Sequence, residues 1–301
     1  MPKRGASYLN KVYTWLKTGK RFRPVFPRAV EFQTLSTCNA KCIFCPHCQS
    51  PGEIPHGRMD DELIKKIVDE CGKHMVGRIS PYLTNEPLLD KRMPDILAYI
   101  HKKCHPFIKT KINSNAALLT EETGRKLIES GLRQLWCSVN GYSPESYRAS
   151  MNLDFDTAMA NIDNFLALKK KLGKKRPSVK ITTLNTKLVA HELDFAKKYW
   201  AERDVVFSIH HMDNRAGDMV DSIATGKRRF KRDCDLFLKQ AYIVENGDMI
   251  ICCHDWRQSV VVGNVAKDSI ADVWNSQTFL DRIYEYYALN FRNIEICRTC
   301  G

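Results

Sequence analysis

Apolar residues along this chain recur at two spacings. Short runs rich in Val, Ile, Leu and Phe lie at residues 29–35, 78–83, 107–113, 135–140, 179–184 and 205–210, and each reads as a strand. Between them the spacing becomes helical. Residues 60–71 carry Leu63, Ile64, Ile67 and Val68 on one face behind acidic residues. Residues 94–101 start with a first-turn proline. Residues 120–130 start on Thr120 as N-cap, with Glu121 and Glu122 at the positive end of the helix. Ser143-Pro144 opens a short helix, Phe155, Ala158, Ile162, Phe165 and Leu166 mark one face of the next, and residues 190–201 form another. Six β/α repeats over residues 29–211 predict a parallel sheet with helices packed outside it. Six units are too few to close an eight-unit barrel, so the expected fold is α/β, a partial (β/α)6 TIM barrel. Ligands in such folds sit at the C-terminal ends of the strands.

From residue 234 the texture changes. Residues 242–244 and 249–252 flank Asn246-Gly247 and predict a hairpin with a type I′ turn. Residues 260–265 read as a further strand, and Ser269 starts a helix with Asp272 as its capping-box partner. The chain is therefore expected to divide into an N-terminal extension (1–28), the partial barrel (29–211), and a linker with a small hairpin-plus-helix domain (212–301). Residues 8–20 suit a basic amphipathic helix packed on the domain that follows.

Composition narrows the class. Of 301 residues, 44 % are hydrophobic and 27 % charged, as in soluble globular proteins. No apolar run approaches the roughly 18–20 residues of a membrane span, and no apolar core of a secretory signal follows the basic start. The expected location is cytoplasmic. The net charge of +13 includes two runs, Lys169-Lys170-Lys171 with Lys174-Lys175-Arg176, and Lys227-Arg228-Arg229 with Lys231-Arg232. Such charge favours an anionic small-molecule substrate or an acidic electron donor, and each run reads equally as solvated surface. Nucleic acid is the weaker expectation.

Twelve cysteines add chemistry. Stable disulfides are not expected in a reducing compartment, so metal or redox roles lead. Cys38, Cys42 and Cys45 form C-x3-C-x2-C directly after the first predicted strand. Three thiolates on a tight loop can hold three corners of an iron–sulfur cubane and leave the fourth iron open. Cys48 offers a competing C-x2-C-x2-C reading with Cys42 and Cys45, and zinc is a further alternative. The motif, with Phe44 before its third cysteine, resembles the radical S-adenosylmethionine (SAM) superfamily. That resemblance implies a [4Fe–4S] cluster on Cys38, Cys42 and Cys45, with SAM chelating the open iron. It carries over to Asn85 and Glu86 of Thr84-Asn85-Glu86-Pro87, to Asn115 of Asn113-Ser114-Asn115, and to Ser138 and Asn140 of Ser138-Val139-Asn140, as SAM contacts at strand ends. The family's glycines before Glu86 are missing here.

Cys234, Cys252, Cys297 and Cys300 resemble the ligands of the twitch or SPASM-type extensions of such enzymes, and imply a second, auxiliary [4Fe–4S] cluster. The spacings are similar to those of the 2-deoxy-scyllo-inosamine dehydrogenase group. Zinc on the same four residues is the bland alternative. Cys253 reads as a hydrogen-atom donor or as a small buried residue. His254 and Asp255 read as base or substrate ligand, and Arg215 as a group for an anion or hydroxyl. The resemblance implies reductive cleavage of SAM and hydrogen abstraction from a sugar or aminocyclitol, leading to oxidation or epimerisation, with flavodoxin or ferredoxin as electron donor. A ribosomal peptide substrate is the second expectation. An electron carrier or a nucleic-acid binder represents the other classes.

Overall fold

The computed structural model describes residues 23–49, 52–53, 56–217, 224–225 and 234–300. The basic helix expected at 8–20 and the second basic run lie outside them. Six strands alternate with helices: β1 (Ala29–Phe32), α1 (Asp61–Lys73), β2 (Arg78–Ser80), α2 (Met93–Lys103), β3 (Lys109–Ser114), α3 (Glu121–Glu129), β4 (Gln134–Ser138), α4 (Pro144–Met151), α5 (Phe155–Lys171), β5 (Ser178–Asn185), α6 (Leu193–Ala201) and β6 (Val206–His211). Helix starts follow the predicted chemistry. The side chains of Asp60, Thr120, Ser143 and Asp154 each accept a backbone N–H at their helix's first turn.

The strands run parallel in the order β6-β5-β4-β3-β2-β1. The sheet stays open because the free edge of β1 is taken by a strand from the C-terminal part. There β7 (Gln240–Ile243) pairs with β1 in parallel, placing Glu31 opposite Tyr242. Strands β8 (Asp248–Ile250) and β9 (Val261–Asn264) continue antiparallel, giving a nine-stranded sheet. Helices α7 (Ile270–Trp274) and α8 (Gln277–Tyr287) pack against it. The β7–β8 turn differs from expectation. Val244 and Asp248 bracket three residues, the Gly247 N–H donates to the Val244 carbonyl, and Gly247 alone has positive φ (89°). A type I turn closed by a left-handed glycine gives the strands the twist that a type I′ turn would have given.

Alternate strand residues face opposite ways. Leu135, Cys137, Val179 and Ile181 are buried under the helices. Between them Gln134, Trp136, Ser138, Lys180 and Thr182 are half-buried on the concave side. One apolar cluster joins β1, β2, α1 and part of α2 to β7–β9, α7 and α8; a second holds β3–β5 with α3–α6.

Candidate functional site

The cysteine loop leaves β1 at the C-terminal edge of the sheet. It is held there by α4: Lys41 and Ile43 donate their N–H groups to the carbonyls of Met151 and Ser150, 3.0 Å each. Those carbonyls belong to the last turn, where a helix has no acceptor use for them within itself. Gly141 permits this placement, since a Cβ there would lie 2.4 Å from the Tyr147 nitrogen. Cys38, Cys42 and Cys45 form one wall of a cavity of about 410 Å3, with Phe44 beside them. Burial pushes the Cys38 thiol up to about 11 and raises Cys42 well above its ordinary value, with the neighbouring cysteines adding to the effect. Without a metal these groups stay protonated, so a cluster that binds them displaces protons. Among the described residues no three His, Cys, Asp or Glu side chains converge on a single ion position; ligands of a cubane each bind a different iron. The Cys48 side chain lies outside the described residues.

Glu86 follows β2 and is 2 % exposed. Its carboxylate accepts from the Ser114 hydroxyl (2.8 Å), the Asn115 N–H (2.8 Å) and the Leu88 N–H (3.0 Å). Burial outweighs these bonds and lifts its pKa to about 7. Asn115 donates to Asn39 of the cysteine loop (2.8 Å), so strand ends β2 and β3 and the loop are laced together. Asn85 folds back, accepting from the Leu83 N–H (3.0 Å), while its buried Nδ2 has no partner. The Ser138 hydroxyl donates to the Asn113 side-chain oxygen (3.2 Å), and the Asn140 side-chain oxygen Oδ1 accepts from the Leu184 N–H (2.8 Å). Asn85, Glu86, Asn115, Ser138 and Asn140 all line the cavity. An orphaned amide donor, a desolvated carboxylate and three thiols on one cavity fit a cluster with an amino-acid ligand, which brings a carboxylate and an ammonium.

The opposite wall comes from the end of β6, the loop after it and the C-terminal part: His210, His211, Asp213, Arg215 and Trp256. Arg215 and Ala216 both have positive φ (45° and 60°), a costly conformation for non-glycine residues that cavity loops tolerate when their surroundings enforce it. Here Asp213 accepts from the Arg215 N–H (3.0 Å), and the loop is tied to residues 297–300. Asn214 donates to the Thr299 carbonyl and Thr299 to the Ala216 carbonyl, 2.6 Å each. Cys297 lies within the fields of Cys234, Cys252 and Cys300, so the structure brings the four predicted auxiliary cysteines together. His254 spans the gap between this set and the cavity, with Nδ1 3.9 Å from Cys300 Sγ and 3.7 Å from Asp213 Oδ1. Cys253 is hydrogen-bonded to Tyr242 and feels Glu31, Arg215 and Asp213. Asp255 corrects an expectation. It is 1 % exposed, and its carboxylate is consumed by Ser259 and by the Val260 N–H (2.7–2.9 Å), so it shapes its own loop and does not face the cavity.

Sequence reasoning missed Asn39, Ser114, Trp136, Thr182, His210, His211, Asp213 and Trp256. Strand alternation would have singled out Trp136, which lies between buried Leu135 and Cys137, and Thr182, which follows buried Ile181.

Two family models match the chain: the radical SAM superfamily over residues 33–183, and an iron–sulfur cluster-binding domain, SPASM, over residues 234–301. The chain is 24 % identical over 273 residues to an S-adenosyl-L-methionine-dependent 2-deoxy-scyllo-inosamine dehydrogenase of Niallia circulans, covering 90 % of this chain and 92 % of that protein. The structure of BtrN in complex with AdoMet and 2-DOIA superposes with a TM-score of 0.63 at 20 % identity, over 91 % and 92 % of the two chains. Streptococcus suis SuiB bound to precursor peptide SuiA gives 0.72 at 16 % identity, over 97 % of this chain and 73 % of that one. Both likenesses concern the fold.

Proposed function

Since the chain belongs to the radical SAM superfamily, we propose that it oxidises a hydroxyl-bearing carbon of a sugar or aminocyclitol-type small molecule. The observation that carries this reading is a cavity walled on one side by the three-cysteine loop and on the other by a loop bonded to Thr299, which lies between Cys297 and Cys300.

Cys38, Cys42 and Cys45 would hold the SAM-binding cluster, and Cys234, Cys252, Cys297 and Cys300 the auxiliary one. When bound, the first cluster and SAM would supply hydrogen-atom abstraction from a substrate carbon, and the auxiliary cluster would supply an acceptor for the remaining electron. Glu86, Asn85 and Asn115 orient SAM's amino-acid end. Ser138 and Asn140 line the cavity beside them and bind its ribose or carboxylate. Phe44 closes the cavity beside the cysteines. Arg215 fixes the substrate from the far wall, and Asp213 accepts the hydroxyl proton as the carbonyl forms. His254, between Asp213 and Cys300, leads that proton outward. Reducing equivalents come from a flavodoxin- or ferredoxin-type donor.

The test is anaerobic incubation of reduced holoenzyme with carbon-deuterated aminocyclitols and sugars, 2-deoxy-scyllo-inosamine included. Oxidation predicts deuterium in 5′-deoxyadenosine and a product lighter by one carbon-bound deuterium and one hydroxyl hydrogen. A product with solvent hydrogen restored at carbon would instead mark epimerisation. Cys253→Ala separates the two outcomes again: a dehydrogenase loses little turnover, whereas an epimerase that draws hydrogen from Cys253 stalls while still forming 5′-deoxyadenosine.

A further inference from the structure

The concave face carries two lysines for which the chemistry above has no use. Lys111 on β3 and Lys180 on β5 flank Trp136 of β4, with their ammonium nitrogens 4.4 Å and 4.2 Å from its ring. Lys111 also lies 5.3 Å from the Tyr82 ring and is 8 % exposed. The register sets Trp136 opposite both Asn113 and Lys180. Asn113, Trp136 and Thr182 line the cavity, and each lysine stands one inward position further down its strand. Both charges therefore press on a residue of the cavity wall.

Neither ammonium has a hydrogen bond or ion pair among the described residues. The acid whose field reaches Lys111 is Glu31, and its carboxylate is held by Arg78 at 2.7 Å. His210, which lines the cavity, feels Lys180 as a further positive neighbour. An aromatic face offsets only part of the cost of drying an ammonium group. The concave face thus holds two positive charges that no acid of its own balances, and a bound anion would balance them.

We propose that Lys111, Trp136 and Lys180 form an anion subsite, and that the substrate carries a phosphomonoester there. Two ammonium groups match the double charge of a phosphomonoester, and Trp136 between them lines the cavity where the attached carbon skeleton would lie. The inference rests on the proposed function for its view of the cavity as the substrate site.

The test titrates inorganic phosphate into SAM-loaded holoenzyme and follows tryptophan fluorescence. It compares wild type, Lys111→Met with Lys180→Met, and a surface control, Lys174→Met with Lys175→Met. Saturable binding by wild type, weakened at least tenfold in the barrel variant and kept in the surface variant, is expected. A hexose phosphate should compete with phosphate while the free hexose does not. Lys180→Met alone serves if the double variant does not fold, with a several-fold loss expected. Equal phosphate affinity in barrel and surface variants, absence of saturable binding by folded wild type, or competition by the free hexose overturns the subsite. Uncoupled 5′-deoxyadenosine formation is read in the same wild-type samples. Its absence counts against the radical chemistry and leaves the phosphate result standing.

Discussion

Glu86 holds its proton well above the usual glutamate range because burial costs its charged form more than three hydrogen bonds return. The native state therefore binds more protons than the unfolded chain between pH 4.5 and about 7. Stability from this group is complete below pH 4.5 and is lost as pH rises through 7, amounting to about 3 kcal/mol. Urea unfolding of the metal-free protein at pH 5 and pH 8 should show that loss, and Glu86→Gln should remove it; an equal pH dependence in both proteins contradicts the assignment. An ammonium group placed beside Glu86 favours the carboxylate, so SAM binding near pH 6 should release a proton. Calorimetry in buffers of different ionisation enthalpy measures that release, and Glu86→Gln should abolish it. The three cysteines stood out in the sequence by their C-x3-C-x2-C spacing and Glu86 by its motif's resemblance to that of a known family, and all four line one cavity. The fate of Asp255 was not, since its hydrogen-bond partners exist only once residues 255–260 have turned.

At the scale of elements, strand order and helix starts could be read from periodicity and caps, but the pairing of β7 with β1 could not. That contact joins residues some 210 apart by backbone hydrogen bonds, which leave no mark on side-chain pattern. Side chains reinforce it. Glu70 of α1 accepts the first N–H groups of α7, from Ile270 (2.8 Å) and Ala271 (2.9 Å), and so caps a helix of the C-terminal part from the barrel. Glu70→Ala should cost about 1–2 kcal/mol in urea unfolding at unchanged m-value. Glu62→Ala, on the exposed side of the same helix, should leave the midpoint where it is. Equal midpoints for all three proteins would show that the cap carries no stability.

For the whole molecule, one apolar cluster runs through the first two β/α units and the last sixty residues. A chain ending at residue 233 would uncover the edge of β1 and half of that cluster. It should be insoluble or lack a cooperative melt, and a truncated chain that melts cooperatively contradicts the shared core. The same continuity sets the loop of Asp213 and Arg215 against residues 297–300, so that the C-terminal cysteines lie behind one wall of the cavity that Cys38, Cys42 and Cys45 line. What SAM does to the first cluster is the most direct measure of this chemistry. In anaerobically reconstituted protein with about eight irons per chain, SAM should alter the electron paramagnetic resonance of the dithionite-reduced enzyme and be cleaved to 5′-deoxyadenosine. Replacing Cys38, Cys42 and Cys45 by alanine should leave about four irons and abolish both signals. A fully loaded wild-type enzyme whose spectrum ignores SAM, and which forms no 5′-deoxyadenosine, contradicts it.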